Sequence, residues 1–345
     1  MPLKSLAKIE LIMQPPLVTI ITPIYGVEKY IERCARSLFE QTYNNIEYIF
    51  VNDCTKDASI EILQSVIDQY SNRKKQIQIV NHENNRGLGA ARNSGIEVSR
   101  GDYIMHVDSD DYIDLDTVSL LVESAQSAGS DIAICGYKRV YQNLTVNCTP
   151  NKIYDIVAYR QKVISGDASH TVWGKLIKAT LYKDYNIRAI EGLHQGEDYA
   201  VYPKLAHVAK TVSYIDSCCY NYVMRNSLTL LKVTNIRDTA DSIEEVKAFL
   251  VEKGDYSIYC DYIEQYIQKM KCWLVNTWIL SDYNNKEIAE KLNVFFPKCK
   301  TCNQIRLDMK ITLYLFEHGY YTSLRMVAIF RCYLQALFNK SGKQA

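Results

Sequence analysis

Short hydrophobic runs alternate with amphipathic segments through the first 135 residues of this 345-residue chain. Apolar, β-branched runs are typical of buried strands, and they occupy residues 17–22, 46–51, 77–80, 103–107 and 131–135. Helical spacing of apolar residues fills the intervals at 28–40, 57–67, 87–98 and 116–128. Strands that alternate with helices of this length indicate βαβ units. The sequence therefore predicts an α/β protein with a mostly parallel, Rossmann-like sheet flanked by helices.

The chain divides into three parts on its sequence pattern. Pro15 and Pro16 end a leader of residues 1–16, and Pro23 is expected to end the first strand. Residues 17–231 carry the alternating pattern and its continuation, and residues 232–345 have a helical pattern throughout. At about 100–200 residues per domain, the length fits one large domain with a helical C-terminal region.

Charge and cysteine content exclude several classes of protein. Forty basic residues against 39 acidic ones leave a net charge of +1, which argues against nucleic acid as a partner. The 11 cysteines are scattered, and the Cys299–Cys302 pair lacks the further ligands of a zinc site, so we expect reduced thiols. The N-terminus lacks a signal-peptide pattern, and no apolar run is long enough to span a membrane. We therefore expect a cytoplasmic protein.

Polar residues follow three of the predicted strands. Pro23 and Tyr25 follow the first strand, Asp53 follows the second, and the acidic run Asp108 to Asp111 follows the fourth. Ligands of open α/β sheets bind at the carboxyl ends of the strands, so these positions predict a site. Three carboxylates repel one another unless a cation neutralises them, and Mg²⁺ or Mn²⁺ binds one or two carboxylates together with phosphate oxygens. A solvated loop that caps a helix is the alternative.

Three further segments carry candidate chemistry, and each has a structural alternative. Arg92, in a segment rich in small residues, either reaches a phosphate or is solvated on a helix that packs tightly on the sheet. Asp198 follows Glu197 at a predicted helix start, as a general base or as a helix cap. Arg225 and Ser227 form either a phosphate clamp or a surface loop.

These clusters, in this order, resemble a known family. The matching segments are VTIITPIYGVEKYIERCARSLFEQT, EYIFVNDCTKDAS, NRGLGAARNSGIEVSRGDYIMHVDSDD, VWGKL, EGLHQGEDYAVYPKL and CYNYVMRNSLT. They extend from about Leu17 to Thr229 and resemble the family 2 inverting glycosyltransferases with the GT-A fold. The resemblance implies a GT-A catalytic domain at 17–231 that binds a nucleotide-sugar donor, with UDP as the expected nucleotide.

The resemblance also implies a role for each matching residue. The nucleoside pocket would contain Pro23, Tyr25 and Asp53, with Asn84 and Arg92 as further nucleotide contacts. Asp108 would contact the ribose or the metal, Asp110 would bind Mn²⁺ or Mg²⁺, Asp198 would be the base, and Arg225 and Ser227 would hold the diphosphate. Trp173 and Lys175 would lie toward the acceptor, a glycan or a lipid-linked sugar of a bacterial surface polysaccharide. Two residues depart from the family pattern: Asn52 replaces a common Asp, and Cys54 replaces a common Gly.

Two other functions compete with sugar transfer. A sugar nucleotidyltransferase usually has a glycine-rich, basic loop after its first strand, and the segment PIYGVEKY lacks one. A non-catalytic nucleotide-sugar binding module would not need the carboxylates of Asp110 and Asp198.

The C-terminal segment from Lys310 to Ala345 is basic, with five Lys or Arg residues and one Glu among many apolar residues. Such a segment suits the surface of the inner membrane, and packing within the protein or in a homodimer is the alternative.

Overall fold

The computed structural model describes residues 14–224, 232–297 and 305–341. Within these ranges nine strands form one mixed sheet. The strands are Val18–Ile24 (β1), Ile46–Asn52 (β2), Ile77–Asn81 (β3), Tyr103–His106 (β4), Tyr112–Ile113 (β5), Ile132–Val140 (β6), Thr145–Cys148 (β7), Lys175–Lys178 (β8) and Val212–Val223 (β9). The helices are Ile31–Phe39 (α1), Ser59–Gln69 (α2), Leu88–Val98 (α3), Thr117–Ala128 (α4), Ile156–Ile164 (α5), Ala179–Lys183 (α6), Glu197–Val208 (α7), Val233–Glu252 (α8), Tyr256–Ser281 (α9), Lys286–Phe295 (α10), Leu307–Glu317 (α11) and Tyr321–Ser341 (α12).

The strand order is β3-β2-β1-β4-β8-β6-β9-β5, and β7 pairs with β6 outside this path. The first four strands are parallel, with Ile21 in register with Ile49 of β2 and His106 of β4. Beyond β4 the sheet is mixed, because β8 runs antiparallel to both of its neighbours while β6 and β9 are parallel. The predicted parallel sheet is thus confirmed for the first half of the fold, and the second half adds antiparallel strands.

Pro23 lies inside β1 and does not end it, contrary to the sequence-based expectation. Pairing of β1 with β4 stops at Ile21, whereas pairing with β2 continues through Pro23 to Ile24. Proline is tolerated where a strand lacks a neighbour on one side, since its missing N–H is not needed there. The strand therefore runs past the proline toward the site edge of the sheet.

Two hydrophobic cores lie on opposite faces of the sheet. Ile20 belongs to the core under α1, α2 and α4, and its neighbour Ile21 belongs to the core under α3, α5 and α7. Successive strand residues point to opposite faces, so a strand buried on both sides needs a continuous apolar run. This explains why apolar or β-branched residues occupy every position of β1 up to Pro23.

The C-terminal helices share the second of these cores. The cluster that contains Ile21 continues through Trp278 of α9 to Leu324 of α12. The ring of Tyr199 in α7 stacks on Tyr266 in α9, with 3.6 Å between the ring centroids. Helix α9 therefore supports α7 directly. None of the helices within the described ranges combines the length and the apolar character needed to cross a bilayer.

Candidate active site

A cavity of about 610 Å³ opens where β1, β2 and β4 end and α3 begins. Five of the sequence-predicted residues line it: Pro23, Tyr25, Asp53, Asp108 and Asp110. The carboxyl ends of parallel strands meet at one edge of a sheet, which is why residues 85 positions apart in the sequence share this cavity. We call it the donor cavity.

Asp53 is buried in the cavity wall and already has three partners within the chain. Its carboxylate accepts hydrogen bonds from the backbone N–H groups of Arg86 and Gly87, each at 2.8 Å, and lies 2.7 Å from Nδ1 of His82. These bonds fix the turn that leads into α3, where Gly87 has a φ of +88°. Asp53 therefore shapes the cavity, and its contact with a nucleobase stays a prediction.

Tyr25 and Asn84 differ in their relation to the cavity. The Tyr25 ring lines the cavity and is 56% exposed, so a flat ligand could stack on it. Asn84 is exposed to solvent and is not among the residues that line the cavity, whereas its neighbour Asn85 is. The contact of Asn84 with a nucleotide stays a prediction.

The centre of the site is an ion cluster around Arg92, which is buried in α3. Its Nη2 lies 2.9 Å from Oδ1 of Asp108, and its Nη1 lies 2.6 Å from Oδ1 of Asp198. Glu197 is 3.8 Å from the same Nη1. Burial alone would lower the pKa of Arg92, but Asp198 and Asp108 raise it above its usual range. Arg92 therefore neutralises these carboxylates, and its contact with a nucleotide stays a prediction.

Glu197 and Asp198 form the first turn of α7. Gly196 precedes them at φ +84°, a conformation that favours glycine, and turns the chain into the helix. Burial and then Asp198 raise the pKa of Glu197 above its usual range. The pair is thus a partly desolvated acidic group beside the donor cavity, as a general base requires.

The aspartates of the acidic run after β4 differ in their surroundings. Asp111 is fully buried and accepts hydrogen bonds of 2.8 Å from the Tyr220 hydroxyl and from the Val223 backbone N–H. Burial and then the charge of Asp108 raise the pKa of Asp111 to about 8. Asp111 therefore anchors β9 to the run, while Asp108 and Asp110 line the cavity.

The oxygen donors at this edge fit a divalent cation that is shared with a ligand. Among the residues described, no three His, Cys, Asp or Glu side chains converge as a complete metal cage. Mg²⁺ and Mn²⁺ do not need one, since one or two carboxylates and phosphate oxygens complete their coordination. Asp108 and Asp110, beside a cavity large enough for a phosphorylated ligand, are a donor set of this kind.

Two of the predicted site residues, Arg225 and Ser227, lie outside the described ranges, as does the Cys299–Cys302 pair. Conversely, the structure adds residues that the sequence analysis did not select. His194 and Tyr222 line the donor cavity, and the indole of Trp173 stacks on the Tyr222 ring with 5.4 Å between centroids. Spacing in the sequence could have identified both residues. His194 is four residues before Asp198, and Tyr222 is two residues after Tyr220, on the same face of the strand.

Comparison with known proteins identifies the class of this site. Residues 19–181 match the family described as Glycosyl transferase family 2. The chain is 33% identical over 222 residues to glycosyltransferase GlyA of Streptococcus pneumoniae, covering 60% of this chain and 30% of GlyA. It is 28% identical over 290 residues to EpsH of Bacillus subtilis, covering 81% and 82% of the two chains.

The fold has a counterpart among solved structures. The crystal structure of Staphylococcus aureus TarS residues 1–349 matches 93% of this chain and 92% of its own, with a TM-score of 0.69 and 18% sequence identity. The fold is therefore the GT-A fold, with helices following the catalytic sheet. Residues 19–181 match glycosyltransferase family 2, and the similar proteins GlyA and EpsH are named as glycosyltransferases. The family assignment favours sugar transfer over the nucleotidyltransferase and binding-module alternatives.

Proposed function

We propose that this enzyme transfers one sugar from a nucleotide diphosphate sugar to a hydroxyl group of a glycan or lipid-linked acceptor, with inversion at the anomeric carbon. The chain spans less than a third of GlyA but four fifths of EpsH, so the proposal concerns the residues present in this chain. Surface polysaccharide synthesis is the process that the family resemblance favours.

One observation carries the proposal: a single guanidinium joins the donor side of the site to the base side. Arg92 binds Asp108, which lines the donor cavity, and Asp198, which begins α7. The two carboxylates are 90 positions apart in the sequence, and a structural helix cap would not need to meet the acidic run. Their convergence supports a reaction between a ligand in the donor cavity and a hydroxyl beside Asp198.

The donor is proposed to be a UDP-sugar. Tyr25 offers an exposed aromatic face, and Asp53 and Pro23 form the adjoining wall, which suits a nucleobase and its ribose. TarS has been crystallised with UDP-GlcNAc, which supports UDP as the nucleotide carried by a chain of this fold. The donor sugar itself is left to experiment.

A divalent cation, Mn²⁺ or Mg²⁺, is proposed to be held by Asp110 with Asp108 nearby. When bound, such an ion neutralises the charge that develops on a leaving diphosphate. Arg225 and Ser227 are assigned to the same phosphates on the sequence motif alone.

Asp198 is proposed as the general base. Arg92 engages its Oδ1, so Oδ2 is the oxygen that takes the acceptor proton. As the proton moves to Asp198, the acceptor oxygen bonds to the anomeric carbon, and the bond from that carbon to the diphosphate oxygen breaks on the opposite face. The nucleoside diphosphate leaves with the electron pair, and a single displacement inverts the anomeric centre.

The acceptor is proposed to reach the site at a membrane surface. Helices α11 and α12 expose a set of large apolar side chains that are 42–73% accessible: Leu307, Ile311, Tyr314, Met326, Ile329, Phe330 and Tyr333. The segment that carries them is basic, which complements anionic lipid headgroups. We therefore propose peripheral attachment at the inner face of the cell membrane, with a homodimer as the competing use of this face.

A donor screen tests the function directly. The full chain is mixed with UDP-, GDP-, dTDP- and CMP-sugars in the presence of Mn²⁺, and thermal stability is measured. A bound donor raises the melting temperature by mass action, and slow release of nucleoside diphosphate then reports transfer to water. Failure of every nucleotide sugar to raise the melting temperature would contradict the proposal. An unchanged response after EDTA treatment would contradict the metal assignment.

A further inference from the structure

A second cavity, of about 220 Å³, lies beside the donor cavity at the same edge of the sheet. It is bordered by β6, the end of β7, α5 and the loop before β8, and its aromatic lining consists of Tyr137, Tyr159, Trp173 and Tyr214. Cavities that bind drug-sized ligands are usually about 300–1,000 Å³, so this one suits a single sugar ring. We call it the acceptor cavity.

Trp173 separates the two cavities. Its ring stacks on those of Tyr220 and Tyr222, at 4.6 and 5.4 Å between centroids, and Tyr222 lines the donor cavity. Its backbone also bridges to His106, the last residue of β4 before the acidic run. The stacked rings of Trp173 and Tyr222 therefore lie between a ligand in the acceptor cavity and a ligand in the donor cavity.

Lys175 gives the acceptor cavity a positive charge that lacks a carboxylate partner. Its buried side chain lines the cavity, and its Nζ donates to the Thr171 carbonyl oxygen at 2.6 Å and lies 4.5 Å from the centre of the Tyr202 ring. No carboxylate of the described ranges lies within 4 Å of this Nζ. Burial lowers the pKa of Lys175 to about 8, and the charge of Asp198 opposes that shift, so the lysine is also in electrostatic reach of the proposed base.

Asp167, the other charged residue in the lining, is already neutralised. It binds Lys269 of α9, and Lys162 of α5 lies 3.2 Å away. Its negative charge therefore does not cancel that of Lys175. The cavity thus combines aromatic rings, which pack against the apolar face of a sugar, with one uncompensated cation.

We propose that the acceptor cavity binds a sugar unit of the acceptor that carries an anionic group, with its ring against Tyr137 and Trp173 and its carboxylate or phosphate toward Lys175. This inference rests on the proposed function and names the acceptor class for the same site. The saccharide hydroxyl that reacts then extends past Trp173 toward Asp198.

Fluorine NMR of the full chain labelled with fluorotryptophan tests the proposal, with the Trp173 resonance assigned through Trp173→Phe. Three probes are titrated: methyl glucuronide for a carboxylate, glucose 6-phosphate for a phosphate, and methyl glucoside as the neutral sugar. We expect a saturable shift of the Trp173 resonance, with an acidic probe bound about tenfold more tightly than the neutral one. The stronger of the two acidic probes identifies the anionic group.

Two variants make the test specific. Thr149→Tyr places a ring at the exposed rim of the cavity, and Thr145→Tyr makes the same change on β7 outside both cavities. We expect only Thr149→Tyr to abolish the shift, and Lys175→Met to remove the preference for acidic probes while neutral binding persists. A resonance unmoved by the acidic probes, or moved equally in Thr149→Tyr, overturns the proposal. UDP binding by calorimetry on the same samples tests the proposed function separately.

Discussion

Arg92 Nη1 lies 2.6 Å from Asp198 Oδ1, although the two residues are 106 positions apart in the sequence. The arginine is on α3, which packs on the parallel half of the sheet, and the aspartate begins α7 on the same face. Because the same guanidinium also binds Asp108, any movement of α7 changes the charge balance at the donor cavity. The proposed base and the donor cavity are therefore linked electrostatically through Arg92.

Asp198→Asn should lower turnover by about 10²–10⁴-fold, because the amide cannot accept the acceptor proton. Nucleotide binding should persist, since Asp198 is outside the lining of the donor cavity. Steady-state kinetics and calorimetric titration with UDP measure the two effects. Asp184→Asn, an exposed change elsewhere on the surface, is the matched control. Turnover equal to that of the control would remove Asp198 from its role.

Arg92→Met should lower the free energy of unfolding by about 3–5 kcal/mol, because it leaves buried carboxylates without their cation. Arg92→Lys should recover part of the loss but not the bridge, since an ammonium lacks the planar fork that binds two carboxylates. Urea unfolding followed by circular dichroism measures both. Arg36→Met breaks a partly exposed helical pair with Glu32 and a hydrogen bond to Gln69, and should cost less, about 1 kcal/mol. Similar losses at both positions would contradict the importance of the Arg92 cluster.

Lys175→Met should stabilise the protein at neutral pH, because the pKa of this buried lysine is lowered to about 8 from an unfolded value near 10.4. Between these two values the unfolded chain binds the extra proton, so wild-type stability rises with pH in that window. The gain from the substitution, on the order of 2–3 kcal/mol near pH 7, should therefore shrink toward pH 10.

The measurement is the difference in unfolding free energy between Lys175→Met and wild type, taken near pH 7 and again near pH 10. Lys75→Met, at an exposed lysine, serves as the control and should show no such trend. A gain that is constant with pH would mean that the lysine is charged normally in the folded protein.

Gly95→Ala should destabilise the fold even though alanine is the better helix former. A Cβ at Gly95 would lie 2.4 Å from Cγ2 of Ile21, so α3 would have to move away from β1. In an Ile21→Ala background the obstructing atoms are gone, and the same change should be neutral or stabilising. A double-mutant cycle by urea unfolding measures this coupling, and additive effects would contradict the contact.

Ile329→Glu and Phe330→Glu should reduce flotation of the full chain with vesicles of mixed anionic and neutral lipid. Both side chains are more than half exposed on α12, and a carboxylate there opposes insertion and repels the headgroups. Ser323→Glu adds the same charge at an exposed polar position of α12 and is the control. If the wild type does not float but elutes as a dimer that these substitutions dissociate, the face is a contact between copies.

Periodicity predicted the first half of the fold well, because local pattern and tertiary position agree there. The predicted strand at 46–51 and helix at 116–128 differ from β2 and α4 by one residue at most. The antiparallel strands β8 and β5 were not identified, and β5, with two residues, is too short to show a period. Their pairing is decided by distant partners, which a local pattern does not contain.

The site was predictable in its carboxylates but not in their bonding. Sequence position placed Asp108, Asp110 and Asp198 near strand ends and helix starts, where they lie. The sequence did not show that Arg92 neutralises two of these carboxylates. This pairing depends on how α3 and α7 cross, which only the three-dimensional packing determines. Asp57, where the second helix was predicted to begin, is one residue before the N-cap position of α2 and accepts hydrogen bonds from Ser59.

The stacked rings of Tyr199 and Tyr266 have a consequence for engineering. Tyr199 follows the proposed base by one residue, and its stacking partner Tyr266 lies 67 residues later in the sequence. A hybrid enzyme that takes only its C-terminal helices from a relative would pack Tyr199, next to the proposed base, against a side chain from a different parent. Crossover points chosen for such hybrids should keep α7 and α9 from the same parent.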